Sequence, residues 1–303
     1  MNRTEGINHR YRGLDTWADR DVLQALWEGQ WRAIECVRPA LPALAAAARA
    51  IAERVGGQGR LIFVGSGSAG RLAGLEAMEL GPTFGWPDDR IHLLLAGGET
   101  LSPGGHGAVE DDAADGERRI AALAPGAADV AIAVAASGST AFTLAAARAA
   151  RKAGALAIGL ANNPGTALLA SVDHPILLDS GAEVISGSTR MAAGTAQKAA
   201  LNLLSTLAMV RLGHVYDGLM VDLRVENAKL RDRAVGMLVE IAGCPREAAA
   251  EALARAGGSV KAAALCLKGA RIEETGRLLA EAGGNLRIAL AALAADGARS
   301  EPQ

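Results

Sequence analysis

Residues 60–85 read RLIFVGSGSAGRLAGLEAMELGPTFG. Leu61-Ile62-Phe63-Val64 is a short apolar run of the kind that forms a buried parallel strand. It breaks into Gly65-Ser66-Gly67-Ser68-Ala69-Gly70, and a helical pattern then runs from Arg71 to about Leu80. Gly81-Pro82 is expected to stop that helix, since proline cannot continue it and glycine readily leaves it. A strand, a Gly/Ser loop and a helix N-terminus in this order make an anion site. Backbone N–H groups and the positive end of the helix dipole converge there. Glycines let a ligand approach, and Ser66 and Ser68 add hydroxyl donors.

Three readings fit this stretch. Gly65, Gly67 and Gly70 spell GxGxxG, the dinucleotide fingerprint, which is weak when it stands alone. A small phosphate, such as that of a phosphosugar, fits equally well. The glycines could also serve a tight turn and nothing more.

Composition narrows the classes. The 303 residues are 50% apolar and 21% charged, enough for a substantial core. A net charge of -2 gives no reason to expect nucleic acid or an anionic membrane, and 3% aromatic content leaves few base-stacking surfaces. Cys36, Cys244 and Cys266 are too widely spaced for a metal site and suit a reducing, cytoplasmic setting. The polar start, MNRTEGINHRYRGLDTW, is unlike a secretion signal, and no apolar run reaches spanning length.

Working outward, residues 1–18 look irregular. From Asp19, apolar residues Val22, Leu23, Leu26, Trp27 and Ile34 recur at helical steps, as a packing layer or a dimer surface would. A second, Ala-rich helix covers Leu44 to Val55. Four further strands are expected at residues 91–95, 129–136, 155–160 and 174–178. The strand at 129–136 breaks into Ser137-Gly138-Ser139-Thr140 and an Ala-rich helix, a second strand–hydroxyl loop–helix unit. Alternating strands and helices argue for an α/β fold, a doubly wound parallel five-stranded sheet covered on both faces. Ser188-Thr189-Arg190 opens a long helix to about Leu212, and another is expected from about Leu219 to Ile241. Beyond Gly243, EAAAEALARAGGSVKAA (247–263) and EETGRLLAEAGGNLRIA (273–289) align without gaps at an offset of 26 residues. The expected organisation is an N-terminal helical segment (1–56), the sheet domain (57–242) and a small helical C-terminal module (243–303).

The second hydroxyl loop separates the ligand readings. A dinucleotide fold places an acidic residue at the end of its second strand, about 20 positions past the fingerprint. The nearest candidate, Glu99, lies 29 beyond Gly70. A phosphosugar site instead recruits Ser66, Ser68, Ser137, Ser139 and Thr140 from both strand ends, and this reading is favoured. For proton transfer, Glu79 is expected in the last helical turn, where unpaired carbonyls favour a protonated carboxyl and so a general acid. Glu110 is expected near a helix start, which favours the ionised form of a base. Glu76 is expected to be solvated or structural, and His92 and His106 are secondary candidates.

Beyond the single loop, VGSGSAGRLAGLEAMELGPTFG, AVEDDAADG, AASGST, GAEVISGSTRMAAGTAQKAALNLLSTLAMVRLG and LMVDLRVENAKL resemble the N-acetylmuramic acid 6-phosphate etherases. That family carries the sugar-isomerase (SIS) phosphosugar-binding domain, and the resemblance covers most of the chain. It implies a lyase with no cofactor and no metal that cleaves the C3 D-lactyl ether, releasing N-acetylglucosamine 6-phosphate and D-lactate. By the family's motifs, Glu79 corresponds to the proton donor and Glu110 to the second catalytic glutamate. Ser66, Gly67, Ser68, Ser137, Ser139 and Thr140 would bind the phosphosugar substrate. A cytoplasmic homodimer with sites near the subunit interface is implied, serving amino-sugar catabolism and cell-wall recycling. The chain departs from the pattern in places. The family's Asp-Ala-Ser-Glu-Cys-Pro-Pro is Glu76 to Pro82 here, an Arg or Lys is common where Ser139 stands, and Glu-Gly-Ala before the second acid is Gly107-Ala108-Val109. A phosphosugar isomerase of the same fold, or a sensor like the glucokinase regulatory protein, are the alternatives.

Overall fold

The computed structural model describes residues 2–98 and 107–300. Its contacts divide the chain into two compact units, Met1–Met78 with Asp89–Ala208 and Glu79–Asp88 with Met209–Gln303.

The first unit is built on five strands, β1 (Leu61–Gly65), β2 (Ile91–Leu95), β3 (Val130–Val134), β4 (Leu156–Ala161) and β5 (His174–Leu177). They pair in the order β2-β1-β3-β4-β5, parallel throughout. Every residue of β1, β3 and β4 is buried, which is why these strands are apolar without alternation. Pro175 stands in β5, at the sheet edge, where no ladder hydrogen bond is forfeited.

The helices of this unit are α1 (Asp19–Glu35), α2 (Leu41–Val55), α4 (Gly107–Glu110), α5 (Ala113–Ala122), α6 (Ala141–Lys152) and α7 (Ala167–Ser171), with α3 (Gly67–Phe84) up to Met78 and α8 (Ala192–Arg211) up to Ala208. Ile62, Val64, Ala131 and Ala133 pack with Ile120 of α5 and Phe142, Ala146 and Ala150 of α6. Fully burying each large side chain contributes about 1.5–3 kcal/mol. Helix α2 packs against β3, β4 and β5. The doubly wound architecture follows.

Two sequence expectations change, and a third is narrowed. Helix α3 begins at Gly67 and runs through Gly81 and Pro82 to Phe84. Pro82 lies close to the end, where its missing N–H costs one backbone bond and not a helix. The helix expected from Leu219 starts only at Ala228, because Asn227 caps it by accepting from the Leu230 N–H at 2.9 Å. Finally, α1 buries Ala25, Gly29 and Ala33, while Leu23, Trp27, Trp31 and Ile34 face outward. Gly29 is needed for that approach, since a Cβ there would lie 2.9 Å from Val184.

In the second unit, α9 (Ala228–Ala242), α10 (Arg246–Arg255), α11 (Val260–Leu267), α12 (Ile272–Glu281) and α13 (Leu286–Ser300) enclose their own core of Val221, Leu238, Leu253, Val260, Leu265 and Leu286. The 26-residue repeat maps onto two helix–Gly-Gly–helix hairpins, α10/α11 and α12/α13. Equivalent basic residues of the two copies reach the same preceding loop: Lys261 bonds Asp222 and the Gly284 carbonyl, and Arg287 pairs with Asp217. Among the described residues no single helix is long and apolar enough to cross a membrane.

Candidate active site

The strand order reverses direction between β1 and β3, so the loops leaving these two neighbours diverge and open a crevice at their C-terminal ends. Both hydroxyl loops singled out in the sequence leave from this point. Gly65 and Gly70 explain the first loop's backbone. A Cβ on Gly65 would stand 2.6 Å from Gly70 Cα, so the strand can turn straight into α3 only without side chains there. Ser66 caps the helix, its carbonyl accepting from the Gly70 N–H at 2.9 Å. The N–H groups of residues 67–69 then have no partner within α3 and form the anion-attracting end of the helix.

Ser66 itself is buried, and its hydroxyl meets Thr143 Oγ1 of α6 at 3.2 Å. Ser68 is half-buried on the first turn of α3, and Gly67 is exposed. In the second loop, Ser137 Oγ accepts from the Ser139 N–H at 3.2 Å and lies 3.3 Å from Thr140 Oγ1. Gly138 has φ 64° and sits so close to Thr166 that a Cβ would approach its Oγ1 to 2.3 Å. Ser139 is exposed and Thr140 half-buried. The two loops thus present Ser68, Ser137, Ser139 and Thr140, while Ser66 ties the first loop to α6.

Glu110 lies in the single turn of α4, three residues before α5 begins, and so near a helix start as the sequence suggested. Its carboxylate lies against the first loop: a Cβ on Gly67 would stand 2.8 Å from Oε1. Burial pushes its pKa up, Asp111 adds to the rise and the Arg71 guanidinium opposes it. A carboxylate so placed is a stronger base than an ordinary glutamate.

Glu79 is elsewhere. It is exposed, and α3 continues past it to Phe84, so the helix-end field invoked for it is not there. Twelve residues, about 18 Å of helical rise, separate it from Gly67 along α3. Glu76 is buried and structural: it accepts from Lys198 at 2.9 Å and Asn202 at 2.6 Å, with Ser205 at 2.5 Å. His92 stands in β2. Glu99 and His106 lie outside the described residues.

Several supporting residues escaped the sequence reading. Thr143 holds Ser66. Glu183, buried, accepts from the N–H groups of Ala192 and Ala193 at 2.9 Å each and so anchors the start of α8. Asn162 is buried and bonds the Leu178 carbonyl and Gln197. The only sequence trace of these is a polar residue within otherwise apolar or small neighbours. No group of His, Cys, Asp and Glu suited to a metal ion occurs among the described residues.

Residues 43–150 match the glucokinase regulatory protein N-terminal SIS domain family, and residues 217–274 match the C-terminal lid domain of glucokinase regulatory protein. An N-acetylmuramic acid 6-phosphate etherase of Deinococcus radiodurans is 50% identical over 95% of both chains. One from Rubrobacter xylanophilus is 44% identical over 91% of this chain and 92% of its own. Among solved structures, a phosphosugar isomerase described as involved in capsule formation, from Bacteroides fragilis, covers 66% of this chain and 95% of its own at 19% identity and a TM-score of 0.51. At that identity the likeness speaks for the fold.

Proposed function

Because this chain belongs to the N-acetylmuramic acid 6-phosphate etherase family, we propose that it is the lyase that hydrolyses the D-lactyl ether of N-acetylmuramic acid 6-phosphate, giving N-acetylglucosamine 6-phosphate and D-lactate. The observation that carries the site assignment is the Glu110 carboxylate held against Gly67 at the N-terminus of α3. The phosphate sits at the Ser68 and Ser137–Thr140 hydroxyls, where the N-termini of α3 and α6 favour an anion. Glu110, its proton affinity raised by burial, removes the C2 proton of the ring-opened sugar. The electron pair expels lactate from C3, and Glu79 protonates the departing oxygen. Water then adds at C3 of the unsaturated aldehyde.

We assign the protein a homodimeric state. Trp27 and Trp31 stack at 6.1 Å yet are 59% and 57% exposed, and Leu23 extends the same stripe. On α3, Leu75 and Met78 are also exposed, Met78 directly before Glu79. Large apolar side chains held outward in this way suit a second copy of the chain. Its covering of the Leu75–Met78 face is how Glu79 would enter a site it does not share with Glu110 along α3. Three free cysteines suit a cytoplasmic location.

The test is lactate release from N-acetylmuramic acid 6-phosphate by the wild type, Glu79→Gln and Glu110→Gln. Release by the wild type with large losses in both variants supports the assignment. The glucokinase regulatory protein matches motivate one rival, a phosphosugar sensor. Saturable substrate binding with no lactate would select it.

A further inference from the structure

The segment that begins the described chain crosses the C-terminal ends of neighbouring strands. Thr4, in a turn over Arg3–Glu5, is completely buried. Its N–H donates to Asn163 Oδ1 at 3.2 Å, and Asn163 Nδ2 donates back to Thr4 Oγ1 at 2.9 Å. The same Nδ2 donates to the Ala136 carbonyl at 2.8 Å, which also accepts from the Asn162 N–H at 3.0 Å. Ala136 is the residue immediately before Ser137. Around this pair, Arg3 pairs with Asp179 just beyond β5, and Ser186 Oγ donates to the carbonyls of Glu5 and Gly6 at 3.4 Å.

A side-chain amide has two N–H donors and one carbonyl oxygen. Here both donors are used and the oxygen accepts. Turning the amide over would set its oxygen against the Ala136 carbonyl and its NH2 against the Thr4 N–H. The peptide N–H of Thr4 and the Ala136 carbonyl therefore select this orientation, and the Thr4 hydroxyl accepts the second amide proton and so ties Asn163 in it. The site is buried, so any unmade bond is costly and the selection is strong.

We infer that Thr4 and Asn163 are positioning residues for the phosphosugar, fixing the main chain at Ala136 and through it the hydroxyl loop Ser137–Thr140. This rests on the proposed role of that loop. Neither residue touches substrate. Their effect is on how well the loop is held before substrate arrives, so it falls on binding and not on the chemical step.

The experiment uses the full-length chain with Thr4→Val, Thr4→Ser, Asn163→Ala and, as a control on the loop, Ser137→Ala. Lactate release gives kcat and KM, titration with inorganic phosphate gives a Kd, and thermal melting reports the fold. Thr4→Val keeps the shape and loses the acceptor, so KM and the phosphate Kd are expected to rise about tenfold with kcat held within about twofold. Thr4→Ser, which restores the hydroxyl, is expected to restore both. An unchanged KM in a folded Thr4→Val, or a loss of kcat at constant KM that Thr4→Ser does not rescue, overturns the inference. Should Asn163→Ala fail to fold, the Thr4 pair still decides. If Ser137→Ala leaves KM and the phosphate Kd unchanged, the loop assignment fails first, and the inference falls with it.

Discussion

The carboxylate of Glu110 fills the space that a side chain on Gly67 would need: a Cβ there would come within 2.8 Å of Oε1. Gly67 also has φ 53°, a left-handed conformation that costs other residues about 1–2 kcal/mol. Gly67→Ala is therefore expected to leave the sheet folded and to push the base off its position. Misplacement by an ångström is enough to cost about a hundredfold in rate, so a fall in kcat of at least about tenfold is expected. Circular dichroism alongside lactate release checks this. A folded Gly67→Ala with wild-type kcat would remove Glu110 from the site.

The pH profile follows from the same carboxyl. Glu110 serves as base only when ionised. Its pKa is raised, first by burial and then by Asp111, so the acid limb of kcat/KM is expected above the usual glutamate range. Arg71 opposes the rise, so Arg71→Met is expected to move the limb to higher pH. Asp111 supports the rise, and Asp111→Asn is expected to move the limb lower. Shifts in the same direction for both variants would contradict the assignment of this limb to Glu110.

How much of this was legible follows the range of the interactions. Strand positions came from apolar runs, and a run such as VAIAV is apolar because both faces are covered, a cause that acts locally. The two hydroxyl loops were readable for the same reason. The end of α3 was misjudged because Gly81-Pro82 ordinarily breaks a helix, and so near the C-terminus it costs little. The acidic run 110–115 marks a helix start because Asp112 caps α5, accepting from the Asp115 N–H at 2.9 Å, with Glu110 in the turn just before it. The grips of Thr4 on Asn163 and Glu76 on Lys198 join residues more than a hundred positions apart, and no spacing rule reaches them.

Glu183 gives a stability test with a defined sign. Burial raises its pKa, the N–H groups of Ala193 and Ala192 pull the other way, and Glu5 adds to the rise. A carboxyl whose folded pKa exceeds its unfolded value binds its proton more tightly in the folded state. The fold therefore gains stability from this group as pH falls through the raised pKa. Urea unfolding of wild type and Glu183→Gln is expected to show the difference moving in favour of the wild type between neutral and mildly acid pH. A difference independent of pH would mean that Glu183 titrates normally.

The exposed α1 stripe makes a separate prediction. Trp27 and Trp31 are held outward by a helix whose buried face is Ala25, Gly29 and Ala33. A charge at Trp27 removes apolar contact area from a dimer and, inside the subunit, gives up the exposed stack on Trp31 and no buried packing. Trp27→Glu is expected to shift sedimentation from dimer to monomer, with melting of the isolated subunit little altered. A wild type that sediments as a monomer at micromolar concentration would rule out this interface.

Mixing two inactive variants tests how Glu79 reaches the reaction. Along α3 it stands about 18 Å of helical rise from Gly67, where Glu110 lies. In a two-fold dimer the shared site takes Glu110 from one protomer and Glu79 from its partner on this reading. After unfolding and joint refolding of Glu79→Gln with Glu110→Gln, half of the dimers are mixed. Each mixed dimer then holds one site with both glutamates intact, so about one quarter of wild-type activity is expected to return. If sedimentation confirms mixed dimers and no lactate is released, the two glutamates act within a single chain, and α3 must bend or the substrate must span its length.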